Sequence, residues 1–594
     1  MTGVQTCALP ILKIDWKRII WWAEFLGPII IAIPFLFGCV TLDPKYPHAS
    51  ACLGVTLLTA LYWVFEPIPI VISAFFPVFL MPLFHVSPAK VVANTIFADT
   101  SMVFLGGFIF SIAMVKWNLH SRIALKTVLI FGLRPWLLLL GIMLVTTFLG
   151  MWISNTATAL TMIPNALAII TKLEEITGDS KALEPFSKCL FLAIAYSCSV
   201  GGFITLTGTP PNLILSQTAK ERFPNGDEIG FAQFIFVSLP VSLTIEAIMY
   251  FYFLVVFLRK VKIPPNVDET AFRENYAKLG KFKPAEKVIV LLFVALACLW
   301  LFRTNLSFGG NANLTGWANT IYKKDGSTYI SDGTVAIFLS MLFFIIHVPA
   351  TPEVEQTEDP LEIKPKDQYE LQSDEEDDNE LREETSEMIH NEEESNNIHE
   401  NAPNEKGKWI PILEWNYAQE KIPWTILFLF GGGFILNQGF KDSGMDIWLG
   451  NIMKKLTSLS LFPLLVCILF VTAIISTVAS NTACANILIP IMAVLSQTSE
   501  KYHPWKLMFP MCFMTSCCFL LPVSTPPNLI AYGSGRLKMS DFLIHGAVFT
   551  VISIFVIIGM CMAIIPAVFK ADSFPDWART SNSTSTSSLE YTDF

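Results

Sequence analysis

Charge is scarce in this sequence, and histidine scarcer still. Charged residues make up 15% of the 594, histidine supplies 8, and hydrophobic residues reach 53% with a mean hydropathy of +0.52. A soluble protein of this length would need far more polar surface, so the composition excludes one and points to a polytopic membrane protein. No convergent set of His, Asp, Glu or Cys stands at mid-membrane depth, which argues against a multispan enzyme. The 12 cysteines mostly fall singly inside apolar runs, as at Cys198, Cys298 and Cys467. That spacing gives neither a zinc site nor a disulfide framework, and they read as small buried hydrophobes. The stretch from Met1 to Leu12 has no basic segment ahead of its short apolar run. It does not read as a cleavable signal peptide, and it fits the rest of the chain as poorly as an artefactual start would.

Apolar stretches near the bilayer-spanning length of about 20 residues recur along the chain. They include Ile19 to Val40, Met102 to Val115, Phe231 to Leu258, Val288 to Phe302 and Leu543 to Phe569. The net charge of −10 conceals an uneven distribution, because Thr351 to Lys408 carries 21 acidic residues against 5 basic ones. Such a segment cannot bury apolar surface and reads as a disordered, solvated linker between two halves.

Basic residues orient the spans. Lys13, Lys17 and Arg18 precede the first span and place the N-terminus in the cytoplasm. Counting onward, Arg122, Lys126 and Arg134 fall inside after four spans, and the cluster from Arg259 to Lys283 falls inside after six. The glycosylation sequons at Asn305, Asn313 and Asn582 then all face outward. About eleven spans result, with the C-terminus extracellular and the protein a plasma-membrane glycoprotein. The segments expected are a cytoplasmic start (1–18), first scaffold spans (19–100), a first repeat core (101–222), further spans with an extracellular loop (223–350), the acidic linker (351–408), a second repeat core (409–536), a last span (537–571) and an extracellular tail (572–594).

What the chain does possess is an internal repeat of polar, helix-breaking residues. Ser-Asn-Thr-Ala occurs at Ser154 to Ala157 and Ser480 to Ala483, and Thr-Pro-Pro-Asn-Leu-Ile follows each, at Thr209 to Ile214 and Thr525 to Ile530. Ser154 and Ser480 are separated by the same length of chain as Phe108 in FLGGFIF and Phe434 in FGGGFIL, whereas the copies of the second motif stand ten residues closer. Whole units were duplicated, and the ten-residue shortfall fits a shorter connection around Glu500 to Lys506. In the topology above the two Gly-rich spans run oppositely. The apolar flanks of each Ser-Asn-Thr leave and return to one side as a re-entrant helical hairpin, and each Thr-Pro-Pro-Asn breaks a span near its middle. The expected fold is therefore all-α with inverted repeats, the signature of a secondary transporter.

The motifs carry a definite chemistry. A returning half-helix capped by Ser154 and Asn155 points free N–H groups and a positive dipole end at mid-membrane, which suits an anion. Hydroxyls, amide carbonyls and unwound main-chain carbonyls suit an alkali cation, and Ser480 with Asn481 repeats the set. Two sodium sites follow. No Lys or Arg lies near either motif, so an anionic substrate depends on dipoles and co-bound cations, which links the two affinities. The Gly106-Gly107 and Gly431 to Gly433 clusters read as close-packing positions. His120 and Arg122 read as anchors at the cytoplasmic interface, and Glu66 as a loop charge.

At these residues the sequence resembles the divalent anion:sodium symporters, the solute carrier thirteen group that includes the I'm-Not-Dead-Yet dicarboxylate and citrate transporters. Both Ser-Asn-Thr motifs, TGTPPN, VSTPPN, WNLHSRIAL at Trp117 to Leu125 and GGGFIL at Gly431 to Leu436 carry the likeness over most of the membrane-embedded chain. The resemblance implies a homodimer whose protomers each have a scaffold domain and a transport domain that moves as an elevator. It implies substrate contacts at Ser154, Asn155, Thr156, Thr209, Ser480, Asn481, Thr482, Thr525 and Pro526. One sodium would sit with Ser154, Asn155, Gly208 and Gly150, the other with Ser476, Ala479, Asn481 and Ser524. Gly150 departs from the serine of some bacterial relatives. The expected function is sodium-driven, electrogenic uptake of a dicarboxylate or tricarboxylate such as succinate or citrate, with sulfate transport as the alternative. Neither an organic cofactor nor a nucleic-acid partner is expected; the partners are substrate, sodium and lipid.

Overall fold

The computed structural model describes residues 16–132, 134–177, 180–260, 273, 276–277, 279–304, 306–308, 312–318, 323–324, 327–349, 409–453 and 459–579. The acidic linker, Asn305, Asn582 and most of both expected termini lie outside the described residues.

Helices dominate. The first part runs through α1 (Trp16–Leu36), α2 (Pro47–Phe65), α3 (Ile70–Ser73), α4 (Phe76–Leu83) and α5 (Ala89–Ile96). The first repeat unit follows as α6 (Asp99–Lys116), α7 (Leu119–Phe131), α8 (Pro135–Gly150), α9 (Asn155–Thr177), α10 (Ser180–Gly202), α11 (Pro210–Arg222) and α12 (Phe231–Val256). After α13 (Pro284–Leu301), α14 (Asp332–Ile345) and α15 (Trp415–Lys421), the second unit comprises α16 (Trp424–Ser443), α17 (Met445–Met453), α18 (Leu461–Val478), α19 (Asn481–Ser499), α20 (Pro504–Ser516), α21 (Pro526–Gly533) and α22 (Met539–Phe569). The two units match helix for helix.

Short antiparallel ribbons interrupt this order. Leu306–Phe308 pairs with Ala312–Leu314, whose backbone includes Asn313, and His347–Pro349 pairs with Trp409–Pro411. The second ribbon joins the two ends that flank the acidic segment.

Among the described residues, seven helices are long and apolar enough to cross a membrane, with α22 the most apolar, and α8 and α18 are among the shorter apolar helices. Side chains such as Ile30, Leu291, Phe338, Phe462, Ile474 and Phe555 are exposed on the outer surface, as lipid contact requires. Exposed tryptophans at helix starts, among them Trp21, Trp136, Trp415 and Trp424, suit the membrane interface.

Two apolar cores organise the interior. The smaller lies among α1, α2, α4, α5 and α16 around Tyr62, Trp63 and Met81, and the larger encloses the repeat. Glycines close-pack the helices between them: a Cβ on Gly106 would stand 2.6 Å from the Cβ of Ala336, and one on Gly432 would stand 2.6 Å from the carbonyl of Ala74.

Two sequence expectations need correction. The ten-residue shortfall lies in helix length rather than in the connection: α9 and α10 have 23 residues each, whereas α19 has 19 and α20 has 13, and the connections after α19 and α20 are each two residues longer than their counterparts. The shortened α20 opens on His503, whose Nδ1 accepts from the N–H of Trp505 at 3.3 Å. Burial, with Lys506 nearby, pushes that imidazole down to about 4 and keeps it a neutral acceptor. His120 and Arg122 are buried against the protein, at 8% and 5% exposure, rather than free to reach lipid headgroups as anchors would. Arg122 holds Glu286 at 3.1 Å and donates to the carbonyls of Leu279 and Gly280, fixing the entry to α13. Pairing of this kind, with further hydrogen bonds to carbonyls, offsets the cost of burying the charge. Glu66 is exposed at the end of α2, as a loop charge should be.

Candidate functional site

Each hairpin tip is built by a serine cap. Ser154 Oγ accepts from the N–H of Ala157 at 3.3 Å and its carbonyl accepts from Thr158 at 3.0 Å, which opens α9. Ser480 repeats the pair with Ala483 at 3.3 Å and Cys484 at 2.9 Å. These bonds satisfy N–H groups that a helix start leaves free.

The breaks follow from the prolines. A residue ahead of proline is driven out of the helical region, and Thr209 and Thr525 are both extended, with φ −148° and ψ 147° against φ −146° and ψ 148°. Two prolines in each then start α11 and α21 with their fixed φ. Between the helix halves lie residues 203–209 and 517–525, the latter with a short 3₁₀ turn at Pro522–Ser524.

An asparagine staples each break. Asn212 Nδ2 donates to the carbonyls of Gly202 at 3.0 Å and Thr205 at 2.6 Å, and Asn528 Nδ2 donates to those of Cys518 at 2.9 Å and Leu521 at 3.1 Å. The acceptors stand ten and seven residues upstream in both copies. The repeated Thr-Pro-Pro-Asn thus has a clear structural share: proline opens the chain and asparagine fixes the opened loop.

Each break is also tied to its own hairpin. Thr205 Oγ1 donates to the carbonyl of Met151, and Ser524 Oγ donates to that of Thr477 at 3.0 Å. Met151 and Thr477 are equivalent, each lying three residues ahead of its hairpin serine, yet the two hydroxyls come from different places in the loop.

Around Gly208 the tips and breaks meet. A Cβ there would come 2.3 Å from the Gly202 carbonyl oxygen and 3.1 Å from that of Gly150, and a Cβ on Gly202 would come 2.5 Å from Asn155 Oδ1. Two main-chain oxygens thus flank Gly208, and one amide oxygen flanks the adjoining Gly202. Asn155 Oδ1 is enclosed and accepts no hydrogen bond. The Gly202 carbonyl keeps its bond from Asn212 and has a second lone pair, and a hard neutral oxygen left unpaired, like that of Asn155, is what a dehydrated alkali ion requires. The second half places Ser476, Cys518 and Ser524 where the first has Gly150, Gly202 and Gly208. There Cys518 Sγ donates to Asn481 Oδ1 at 3.2 Å, so that amide oxygen is already engaged.

The remaining candidates distribute unevenly. Thr209 and Thr525 are buried at 3% exposure each, and Thr525 Oγ1 makes no hydrogen bond. Thr482 is buried and Thr156 half-buried on the first turns of α19 and α9. Ala479 ends α18 in extended backbone, whereas Pro526 is exposed at the start of α21.

Helix ends give the region its electrostatics. α8 and α18 arrive at the tips by their C-termini, α10 and α20 reach the breaks likewise, and α9, α11, α19 and α21 all leave by their N-termini. Carbonyl ends favour cations and N–H ends favour anions, so both polarities are offered without a charged side chain. The halves interlock here. α9 packs on α21 and α19 on α11, Tyr196 donates to the carbonyl of Phe519 at 3.2 Å, and Cys512 donates to Asn212 Oδ1 at 3.5 Å. Tyr196 and Cys512 are themselves equivalent positions.

Sequence reasoning missed Glu246. It lies inside α12 at 5% exposure and accepts from Thr147 and Ser197. One acidic residue within a 26-residue apolar helix was the available signal.

Comparison with known proteins shows the family. The sodium:sulfate symporter transmembrane region matches residues 19–569. The sodium-dependent dicarboxylate transporter SdcS of Staphylococcus aureus is 33% identical over 553 residues, covering 92% of this chain and 91% of that one. Solute carrier family 13 member 2 of Rattus norvegicus is 32% identical, covering 95% and 96%. Among solved structures, the Alcanivorax borkumensis YdaH transporter aligns over 80% of this chain and 87% of its own with a TM-score of 0.49 at 11% identity, too weak a likeness to carry an argument. The match to nearly the whole membrane region, and two relatives that share almost a third of their residues with it along nearly their full length, make this chain a member of the sodium:sulfate symporter family of multispan membrane transporters, the divalent anion:sodium symporters.

Proposed function

We propose that this chain is a sodium-coupled symporter that imports dicarboxylates or tricarboxylates such as succinate or citrate across the plasma membrane. The observation that carries the reading is the cluster at Gly208, flanked by the carbonyls of Gly150 and Gly202, with the unpaired Asn155 Oδ1 beside Gly202 at the start of α9. The names of the two relatives, a sodium-dependent dicarboxylate transporter and a member of solute carrier family 13, support it.

Sodium is cargo in this scheme. One ion is held by Ser154, Asn155, Gly150 and Gly208 with the adjoining Gly202 carbonyl, the other by Ser476, Ala479, Asn481 and Ser524. The substrate carboxylates lie against the N–H ends of α9, α11, α19 and α21, contacted by Ser154, Asn155, Thr156, Thr209, Ser480, Asn481, Thr482, Thr525 and Pro526. With no basic side chain at the motifs, the bound cations supply the net positive field, so each ligand raises the affinity for the other. Transport that moves more sodium charge than substrate charge is electrogenic.

The inverted units rock as a transport domain against scaffold helices in an elevator movement within a homodimer. The N-terminus faces the cytoplasm and the C-terminus the exterior, with glycans on Asn305, Asn313 and Asn582. Uptake of labelled succinate, citrate and sulfate into vesicles, with and without sodium and across pH, tests the whole. Sodium-dependent uptake of a carboxylate with inward current is expected, and equal uptake without sodium would refute coupling. Sulfate is the second reading, favoured by the sodium:sulfate description of the matching family. Sulfate uptake that succinate fails to inhibit would establish it.

A further inference from the structure

The two halves use the same backbone but not the same polar groups. Around the first break the three small positions are Gly150, Gly202 and Gly208, and their counterparts are Ser476, Cys518 and Ser524. At these three positions the first half therefore offers a cation only carbonyl oxygens, with the Asn155 amide beside them. Behind it stands a carboxylate that the second half lacks.

That carboxylate is Glu246. Ser238, Ser242 and Glu246 recur every four residues on α12 and form one face toward α10. Ser238 Oγ donates to the Ile204 carbonyl at 2.5 Å and Ser242 Oγ to that of Val200 at 3.0 Å. Glu246 Oε1 accepts from Ser197 Oγ at 2.6 Å and from Thr147 Oγ1 at 2.9 Å. Its other oxygen, Oε2, is enclosed and makes no hydrogen bond. Among the described residues no Lys or Arg is paired with it. In α22 the aligned positions are Gly546, Thr550 and Ile554, set by the equivalence of the fully buried Phe234 and Phe542. The acid thus occurs once.

Its partners connect it to the site. Thr147 precedes Gly150 by one helical turn on α8, and Ser197 precedes Gly201 by one turn on α10. A Cβ on Gly201 would lie 2.5 Å from the Thr147 carbonyl, so the two helices touch between Glu246 and the Gly208 cluster. A half-satisfied carboxylate in an apolar helix is costly and persists where a cation compensates it.

We propose that Glu246 is the fixed counter-charge of the sodium held in the first-half cluster, a positioning residue that sets sodium affinity there without touching the substrate. This rests on that cluster being a sodium site. The charge raises the cation's affinity through the α8 and α10 wall, and it stands in for the two hydroxyls that Ser476 and Ser524 supply in the second half and that Gly150 and Gly208 lack.

Sodium activation of uptake and of current, at saturating substrate, tests it in the full-length protein with E246Q, E246D and E246N. The two neutral variants are expected to raise the half-activating sodium concentration on the order of tenfold over their charged, size-matched partners, the effect of one elementary charge several ångströms away in a partly polar interior. Maximal rate and substrate KM at saturating sodium should move far less. The Asp and Asn variants share the same shortening, so their comparison isolates charge even if E246Q fails to reach the membrane. Unchanged sodium activation with a lowered maximal rate would overturn the proposal. A loss of one elementary charge per substrate in the neutral variants would overturn it too, since Glu246 would then hold a cation of its own. N155A separates the two levels: intact sodium activation in N155A removes the cluster as a sodium site, whereas intact activation in E246Q and E246N alone removes only the role of Glu246.

Discussion

The two repeat units reach one loop geometry by different means. Thr209 and Thr525 share nearly the same φ and ψ, and Asn212 and Asn528 bond acceptors at identical spacing. Yet the first unit packs glycine against carbonyl where the second places hydroxyl and thiol, and the hydroxyl that ties loop to hairpin sits at Thr205 in one and Ser524 in the other. Backbone shape is what duplication preserved. The groups that decorate it diverged, so the two proposed cation sites need not bind with equal strength.

Exchanging the glycine and the serine breaks the comparison most sharply. G208S puts a side chain where even a Cβ would stand 2.3 Å from the Gly202 carbonyl. That oxygen belongs to the backbone Asn212 holds, so the loop must shift and the cluster is lost; sodium-driven uptake should be abolished. The reverse change, S524G, meets no such clash; it removes the hydroxyl that ties to Thr477 and belongs to the proposed second sodium site, and should leave a transporter with weakened sodium activation. Uptake and surface expression measured together check both, and equal damage from the two would mean that the halves do not differ as their packing implies.

Much of this was legible in the chain itself. The duplicated Ser-Asn-Thr and Thr-Pro-Pro-Asn announced caps and breaks, because serine caps and proline breaks act on a few neighbouring residues whatever the fold. What escaped was non-local. Glu246 lies far along the chain from Thr147 and becomes meaningful only when α12 packs beside α8 and α10. Arg122 reads as an interface charge until Glu286, 164 residues later, is seen to bury with it. The ten-residue offset change was visible, but only the helix ends show that α19 and α20 were trimmed.

The staples should sharpen the likeness of the halves. N212A and N528A each leave one buried carbonyl, that of Gly202 or Cys518, without its asparagine donor, while Thr205 and Leu521 keep the N–H of Gly208 and Ser524 at 3.3 Å; a lost buried bond of this kind costs about 1–3 kcal/mol. Thermal unfolding of detergent-purified protein should fall in both, by similar amounts. N212A should be the worse, since Asn212 also accepts from Cys512 across the interface between halves. A large fall in only one would show that a single break bears the interlock.

Cys518 offers the smallest and most discriminating change. Its thiol donates to Asn481 Oδ1 at 3.2 Å, whereas the enclosed Asn155 Oδ1 beside Gly202 accepts no hydrogen bond. C518A frees the second amide oxygen and makes the two sites alike at that atom, leaving Ser476 and Ser524 in place. A thiol is a weak donor, so the half-activating sodium concentration should fall by no more than about threefold, with maximal uptake kept. A rise instead would mean that the thiol orients Asn481 rather than competing for it, and that the unpaired oxygen of Asn155 depends on its own neighbours, the Gly202 backbone above all, to stay aimed at the ion.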